Sequence, residues 1–125
     1  MSLRILIVDD NTLVAEGTAA ALGVGGHRAE VVPSAEAALE RHRPGAWDLV
    51  LTDIRLEGMS GWELIERLRA REPGLAVAVL SGWPPSPGEP SAGARGARFL
   101  LVKPVDPEEL LRAVDVIVVA PGAGD

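Results

Sequence analysis

The sequence predicts an α/β fold, a single domain built on a five-stranded parallel sheet. Two observations carry this. Short, continuous, β-branched-rich runs such as Arg4 to Val8 (RILIV) and Leu75 to Leu80 (LAVAVL) read as strands buried on both faces, as in parallel sheets. Segments with helix start signals alternate with them, and alternation of this kind implies right-handed βαβ crossovers. The 125-residue length fits one domain, and no linker is long enough to separate two.

The elements follow in order. Arg4 to Val8 is the first strand. Asp9-Asp10-Asn11-Thr12 then offers N-cap residues for an alanine-rich helix, Leu13 to Leu22, expected to stop at Gly23. Gly23, Gly25 and Gly26 make the turn into a second, weaker strand, Arg28 to Val32. Ser34 is the expected N-cap of a helix running from Ala35 to about His42, which Pro44-Gly45 breaks. Asp48 to Thr52 (DLVLT) is a third strand leading to Asp53. Beyond the loop Ile54 to Met59, Ser60 and Glu63 have the spacing of a capping box, and Leu64, Ile65 and Leu68 share one face of the helix they open. Pro73-Gly74 ends it, and Leu75 to Leu80 is the fourth strand.

Pro84, Pro85, Pro87 and Pro90 then fall close together. An interior proline costs a helix about 3 kcal/mol. The fourth crossover is therefore expected to be irregular up to about Pro90, with at most a helical turn near Ser91 to Ala94. Arg98 to Val102 is the fifth strand. Asp106 caps the last helix, with Pro107 at its first position and Glu108 and Glu109 in its first turn. Leu110, Val114, Ile117 and Val118 form its apolar face. The domain is expected to span residues 1–120, with 121–125 as a tail. The resulting fold class is a doubly wound α/β sheet flanked by helices, with the fourth helix shortened or irregular.

Composition excludes several kinds of chemistry. The formal charge is −6, and eleven of the twelve basic residues are arginine, leaving Lys103 as the only lysine. An acidic chain with a pI near 4.9 does not suggest a nucleic-acid surface. There is no cysteine, so disulfides and thiolate chemistry are out, and only His27 and His42 could serve as histidine ligands or bases. No apolar run approaches a membrane span, and no secretion leader precedes the first strand, so a cytoplasmic location is expected.

In doubly wound sheets, ligands bind beyond the carboxyl ends of the strands. Asp9 and Asp10 follow the first strand, Asp53 the third, Ser81 the fourth and Lys103 the fifth. Crowded carboxylates need a cation, and hard oxygen ligands suit Mg²⁺. A metal and an ammonium beside a carboxylate can neutralise a phosphoryl group in flight, and the carboxylate can itself be the nucleophile. Taken singly, each residue has a plain structural explanation as a cap, a loop acid or a turn serine. The retained lysine in an arginine-using chain is harder to explain that way, because the two cations are not interchangeable at compact sites.

The set Asp9-Asp10 after ILIV, Asp53 in LTDIRLEGMSG, Ser81 closing AVLSG and Lys103-Pro104 closing FLLVKP resembles the receiver domains of two-component response regulators, from about Arg4 to Ala120. The resemblance implies that Asp53 accepts a phosphoryl group and that Ser81 and Lys103 contact it. It implies Mg²⁺ bound by Asp10, by Asp9 mainly through water, by Asp53 and by the backbone carbonyl of Arg55. It also implies the flavodoxin-like strand order 2-1-3-4-5, a cis Lys103-Pro104 bond and, as partner, a histidine kinase or phosphotransfer protein. The output partner is unspecified, a homodimer is left open, and neither nucleic acid nor membrane is expected to be bound. The PEELLRAV helix and LSGW turn also resemble receivers attached to hybrid histidine kinases. Enzymatic chemistry would extend at most to the domain's own phosphorylation and dephosphorylation.

The chain departs from the family pattern in three places. Leu56-Glu57 replace the usual Met-Pro. Leu100 stands where the family has its switch aromatic, and Phe99, one residue earlier in a strand, is expected to face away. The prolines break the fourth helix. A degenerate receiver serving as an interaction scaffold is therefore a competing reading. A haloacid-dehalogenase-type phosphohydrolase is disfavoured because Arg55 stands where its second aspartate belongs. A nucleotide-binding module is disfavoured because its glycines follow a helix rather than a strand.

Overall fold

The structure, a computed structural model, describes residues 2–84 and 86–119, apart from the side chains of residues 118 and 119. The expected 121–125 tail and the apolar role of Val118 lie outside the described residues. The elements are β1 (Arg4–Val8), α1 (Thr12–Val24), β2 (Arg28–Val32), α2 (Ala35–Arg41), β3 (Leu49–Asp53), α3 (Gly61–Arg71), β4 (Ala76–Ser81), β5 (Leu100–Val102) and α4 (Pro107–Val119). All strand pairs are parallel and the sheet order is β2-β1-β3-β4-β5, as the sequence predicts. None of the described helices is long and apolar enough to cross a membrane.

Strand alternation sorts the core into two layers. Ile5, Ile7, Leu49, Leu51, Ala78 and Leu80 face α1 and α4, where they meet Leu22, Leu110 and Val114. Leu6, Val8, Val50, Val77 and Val79 face α2 and α3, where they meet Ala38, Leu64, Ile65 and Leu68. A sheet covered on both faces favours strands that are apolar on both sides, which is the pattern of β1 after Arg4 and of β4 up to Ser81.

The ends of the elements differ from expectation in ways that capping explains. Helix α1 runs through Gly23 to Val24, because its last turn closes at Gly25, whose amide bonds Ala21 O at 3.3 Å, and the chain turns at Gly26 with φ 89°. Asn11 is its N-cap, accepting from the Val14 amide at 3.2 Å. Asp48 lies just outside β3, where its carboxylate accepts the Arg4 amide at 2.8 Å. Ser60 caps α3 by accepting from Glu63 N, but the Glu63 side chain pairs with Arg67 at 2.9 Å, so only half of the capping box forms. Strand β5 is shorter than the sequence suggests and begins at Leu100.

Among the described residues, the fourth crossover has no helix. Ser91 Oγ accepts from Ala94 N at 3.1 Å, and the Ala97 amide bonds Ala92 O at 2.9 Å, closing a single turn. Proline denies this stretch both the amides and the backbone angles of a longer helix. Phe99 packs in the α1/α4 layer and Leu100 in the α2/α3 layer, so the two point to opposite faces.

Candidate functional site

The chain leaves β1 for β2 on one side and continues into β3 on the other. This switch point opens a crevice at the carboxyl ends of β1 and β3. In the register, Val8 pairs with Thr52, so Asp9 and Asp53 emerge level with each other. Ser81 pairs with Val102, which places Lys103 one residue beyond β5 at the same edge. The buried strands thus fix where the polar residues emerge.

Carboxylate oxygens of Asp9, Asp10 and Asp53 lie within 4.8 Å of one another. The three differ in setting. Asp9 is buried, at 1% exposure, with Oδ2 accepting from Lys103 Nζ at 2.7 Å and Oδ1 from the Asn11 amide at 2.9 Å. Asp53 is half-buried, with Oδ2 accepting from Lys103 Nζ at 3.0 Å and Oδ1 from the Arg55 amide at 3.2 Å. Asp10 is exposed. Lys103 therefore bridges the two less accessible acids and leaves Asp10 facing solvent. Burial alone would lower the Lys103 pKa, but the hydrogen bonds and charges of Asp9 and Asp53 outweigh it and hold the ammonium above its ordinary value.

The loop after Asp53 is held by close approach. Gly58 takes φ 80°, and the Gly61 amide bonds Ile54 O at 2.8 Å. A Cβ on Gly61 would stand 2.1 Å from Asp53 O and 2.9 Å from Ile54 Cα. Only glycine lets the start of α3 press against the backbone that carries Asp53. The Lys103-Pro104 bond is cis.

A cleft of about 510 Å³ opens from this edge, bringing Asp53, Arg55, Ser81 and Lys103 together with Trp62 and Trp83. Ser81 is buried here, but its hydroxyl is engaged by the Trp83 backbone, donating to Trp83 O at 2.7 Å and accepting from Trp83 N at 3.1 Å. The Arg55 guanidinium lies 5.6 Å from the centre of the Trp83 ring. Sequence reasoning missed two residues of this cleft, Trp62 and Arg95, whose guanidinium stacks 4.2 Å from the Trp62 ring centre. Trp62 adjoins the apolar stripe of α3 and reads as core, and nothing in the local sequence marks Arg95 as its partner.

Comparison with known proteins agrees with this fold. The family model of the response regulator receiver domain matches residues 5–115. The response regulator protein FleR of Pseudomonas aeruginosa is 34% identical over 114 residues, which cover 91% of this chain and 24% of FleR. The chain spans less than two thirds of the length of FleR and of three other curated response regulators that it matches. Among solved structures, a CheY-like receiver domain protein from Methanospirillum hungatei JF-1 superposes with a TM-score of 0.84 at 27% identity, covering 100% of both chains. The response regulator TrrA of Thermotoga maritima, solved in complex with Mg²⁺-BeF, superposes with a TM-score of 0.82 at 28% identity over 92% of this chain and 98% of that one.

Proposed function

This chain belongs to the family of response regulator receiver domains, and from that premise we propose that it is a phosphorylation-dependent switch whose acceptor is Asp53. The observation that carries this is the placement of the Asp53 carboxylate. It holds the only lysine at 3.0 Å and lies in a cluster with Asp9 and Asp10. The donor is a phosphohistidine on a histidine kinase or phosphotransfer protein. An Asp53 oxygen attacks phosphorus, the P–N bond breaks, and its electron pair leaves with the imidazole nitrogen. Lys103 supplies a fixed positive charge beside the carboxylate, which offsets charge building on the phosphoryl oxygens. Ser81 donates a hydrogen bond from its hydroxyl to one of those oxygens.

The donor set fits Mg²⁺, with hard carboxylate oxygens and an open solvent side at Asp10. Asp10, Asp9 through water, Asp53 and the Arg55 carbonyl would hold it. Bound there, it would neutralise charge on the transferring phosphoryl group. We place the domain in the cytoplasm and leave the output partner and any homodimer unspecified.

The test is to incubate the protein with Mg²⁺ and phosphoramidate. An acid-stable, base-labile phosphate should form, and Asp53→Asn should abolish it. No label on the wild type would overturn the reading in favour of a degenerate scaffold, which Leu100 and the helix-free fourth crossover would suit. Continuous turnover of phosphate esters would point to a hydrolase instead.

A further inference from the structure

The Ser81 hydroxyl is already committed. Its one proton goes to Trp83 O at 2.7 Å, and its oxygen accepts from Trp83 N at 3.1 Å. A seryl hydroxyl has a single proton to donate. It cannot serve the Trp83 carbonyl and a phosphoryl oxygen at the same time. When Ser81 turns its proton to a phosphoryl group on Asp53, the Trp83 carbonyl loses its partner.

The Trp83 ring has a second attachment to the same place. It lies beneath the Arg55 guanidinium at 5.6 Å, and the Arg55 amide donates to Asp53 Oδ1 at 3.2 Å. Both attachments of Trp83 thus lead to residues that touch Asp53 or line its cleft. The residue is otherwise largely open to solvent, at 61% exposure. The strand that would carry a coupling aromatic offers none on this side. Phe99 is packed in the opposite layer, and Leu100 is the residue that lines the cleft. Among the described residues, the segment after Trp83 has no helix to resist a change in the turn.

We propose that Trp83 is the residue through which this chain displays the phosphorylation state of Asp53. With Asp53 unmodified, Ser81 and Arg55 hold the Trp83 turn along the cleft. With Asp53 phosphorylated, Ser81 turns to the phosphoryl group and the Trp83 turn is released to reposition its exposed ring. The proposal rests on Asp53 being the phosphoacceptor. It adds that the signal leaves through the turn after β4, with no contribution from an aromatic in β5.

Nuclear magnetic resonance of the ¹⁵N-labelled chain tests this, with Mg²⁺ and beryllofluoride standing in for the phosphoryl group. Trp47, Trp62 and Trp83 give three indole N–H signals, and Trp83→Phe identifies the third. The Trp83 indole signal should shift by more than a linewidth on adding beryllofluoride, while that of buried Trp47 stays in place. In Ser81→Ala the turn has no hydroxyl to hold it. Its Trp83 indole signal should already sit, without ligand, near the position that the wild type reaches with beryllofluoride. The proposal is overturned if the Arg55 backbone amide shifts and the Trp83 indole does not, or if the indole of Ser81→Ala still makes the full wild-type shift. If the Arg55 amide does not respond either, Asp53 has not taken the mimic. The phosphoacceptor reading then fails, and this proposal fails with it.

Discussion

Two regions meet at one edge of the sheet and are built in opposite ways. The acidic cluster emerges from β1 and β3, whose apolar residues are fully buried, and Asp9 and Asp53 are held by Lys103, just beyond β5, and by backbone amides. The fourth crossover, between β4 and β5, is held by one capped turn and a few isolated hydrogen bonds. The proposed phosphoacceptor chemistry needs carboxylates and an ammonium fixed in position, and the buried strands provide that. The crossover is free of that demand and has taken up prolines that no helix would tolerate.

Hydrogen exchange should show the largest difference. The amides of β4 lie in a fully buried strand, and Val79 N bonds Phe99 O at 3.0 Å. They should exchange only through global opening. Amides of residues 86–93 should exchange at least about 10³-fold faster, since a stability of about 5 kcal/mol separates global from local opening. Strong protection across residues 86–94 would show that the crossover is as well held as the site.

The same contrast explains what could be read from the sequence. Apolar strand runs and their order were legible because burial on both faces leaves no polar position. Asp9, Asp53, Ser81 and Lys103 could be placed together because each directly ends or follows such a run. The proline-rich crossover could be read as helix-free because proline acts locally. Three features were not legible. The end of α1 was missed because a glycine inside a helix costs only about 1 kcal/mol, so Gly23 could not be told from a terminator. The Ser81 contact with Trp83 depends on a side-chain torsion. The Trp62–Arg95 stack joins residues from different elements, which local patterns do not encode.

Replacing Lys103 should have the next largest effect. Lys103→Met leaves buried Asp9 beside Asp53 with no cation between them. Removing one partner of a buried ion pair costs about 3 kcal/mol. The urea midpoint should fall accordingly in EDTA and recover in part with Mg²⁺, which should bind the folded cluster more tightly than the unfolded chain. A variant as stable as the wild type would show that the acids do not depend on the lysine.

A pair of glycine substitutions sharpens the contrast further. Gly61→Ala forces a methyl against Asp53 O, and overpacking of this kind costs about 2 kcal/mol. It should also slow phosphoamidate labelling, because the backbone carrying Asp53 must shift. Gly93→Ala, in the crossover, meets nothing within 4 Å and should change stability by less than about 0.5 kcal/mol. Equal effects at the two positions would mean that the crossover is packed as tightly as the site.

The smallest effect is expected at the opposite end of the same two strands. Asp48 precedes β3 and pairs with Arg4 at the start of β1, Oδ2 lying 3.4 Å from Nε. Burial alone would raise the Asp48 pKa, but the hydrogen bonds and charge of Arg4 prevail and hold it below its ordinary value. A carboxylate whose pKa is depressed on folding adds stability above its unfolded pKa and loses it as pH falls through the folded value. Both side chains are substantially exposed, so solvent screens the pair and limits its worth to about 0.5 kcal/mol. Asp48→Asn should therefore be less stable than wild type by about that amount at pH 7, and the gap should close as pH drops below the ordinary carboxylate range. A gap that is the same at pH 7 and in strong acid would assign the effect to the backbone hydrogen bond that Asp48 accepts from Arg4, since an asparagine amide oxygen reproduces that bond imperfectly and does not titrate.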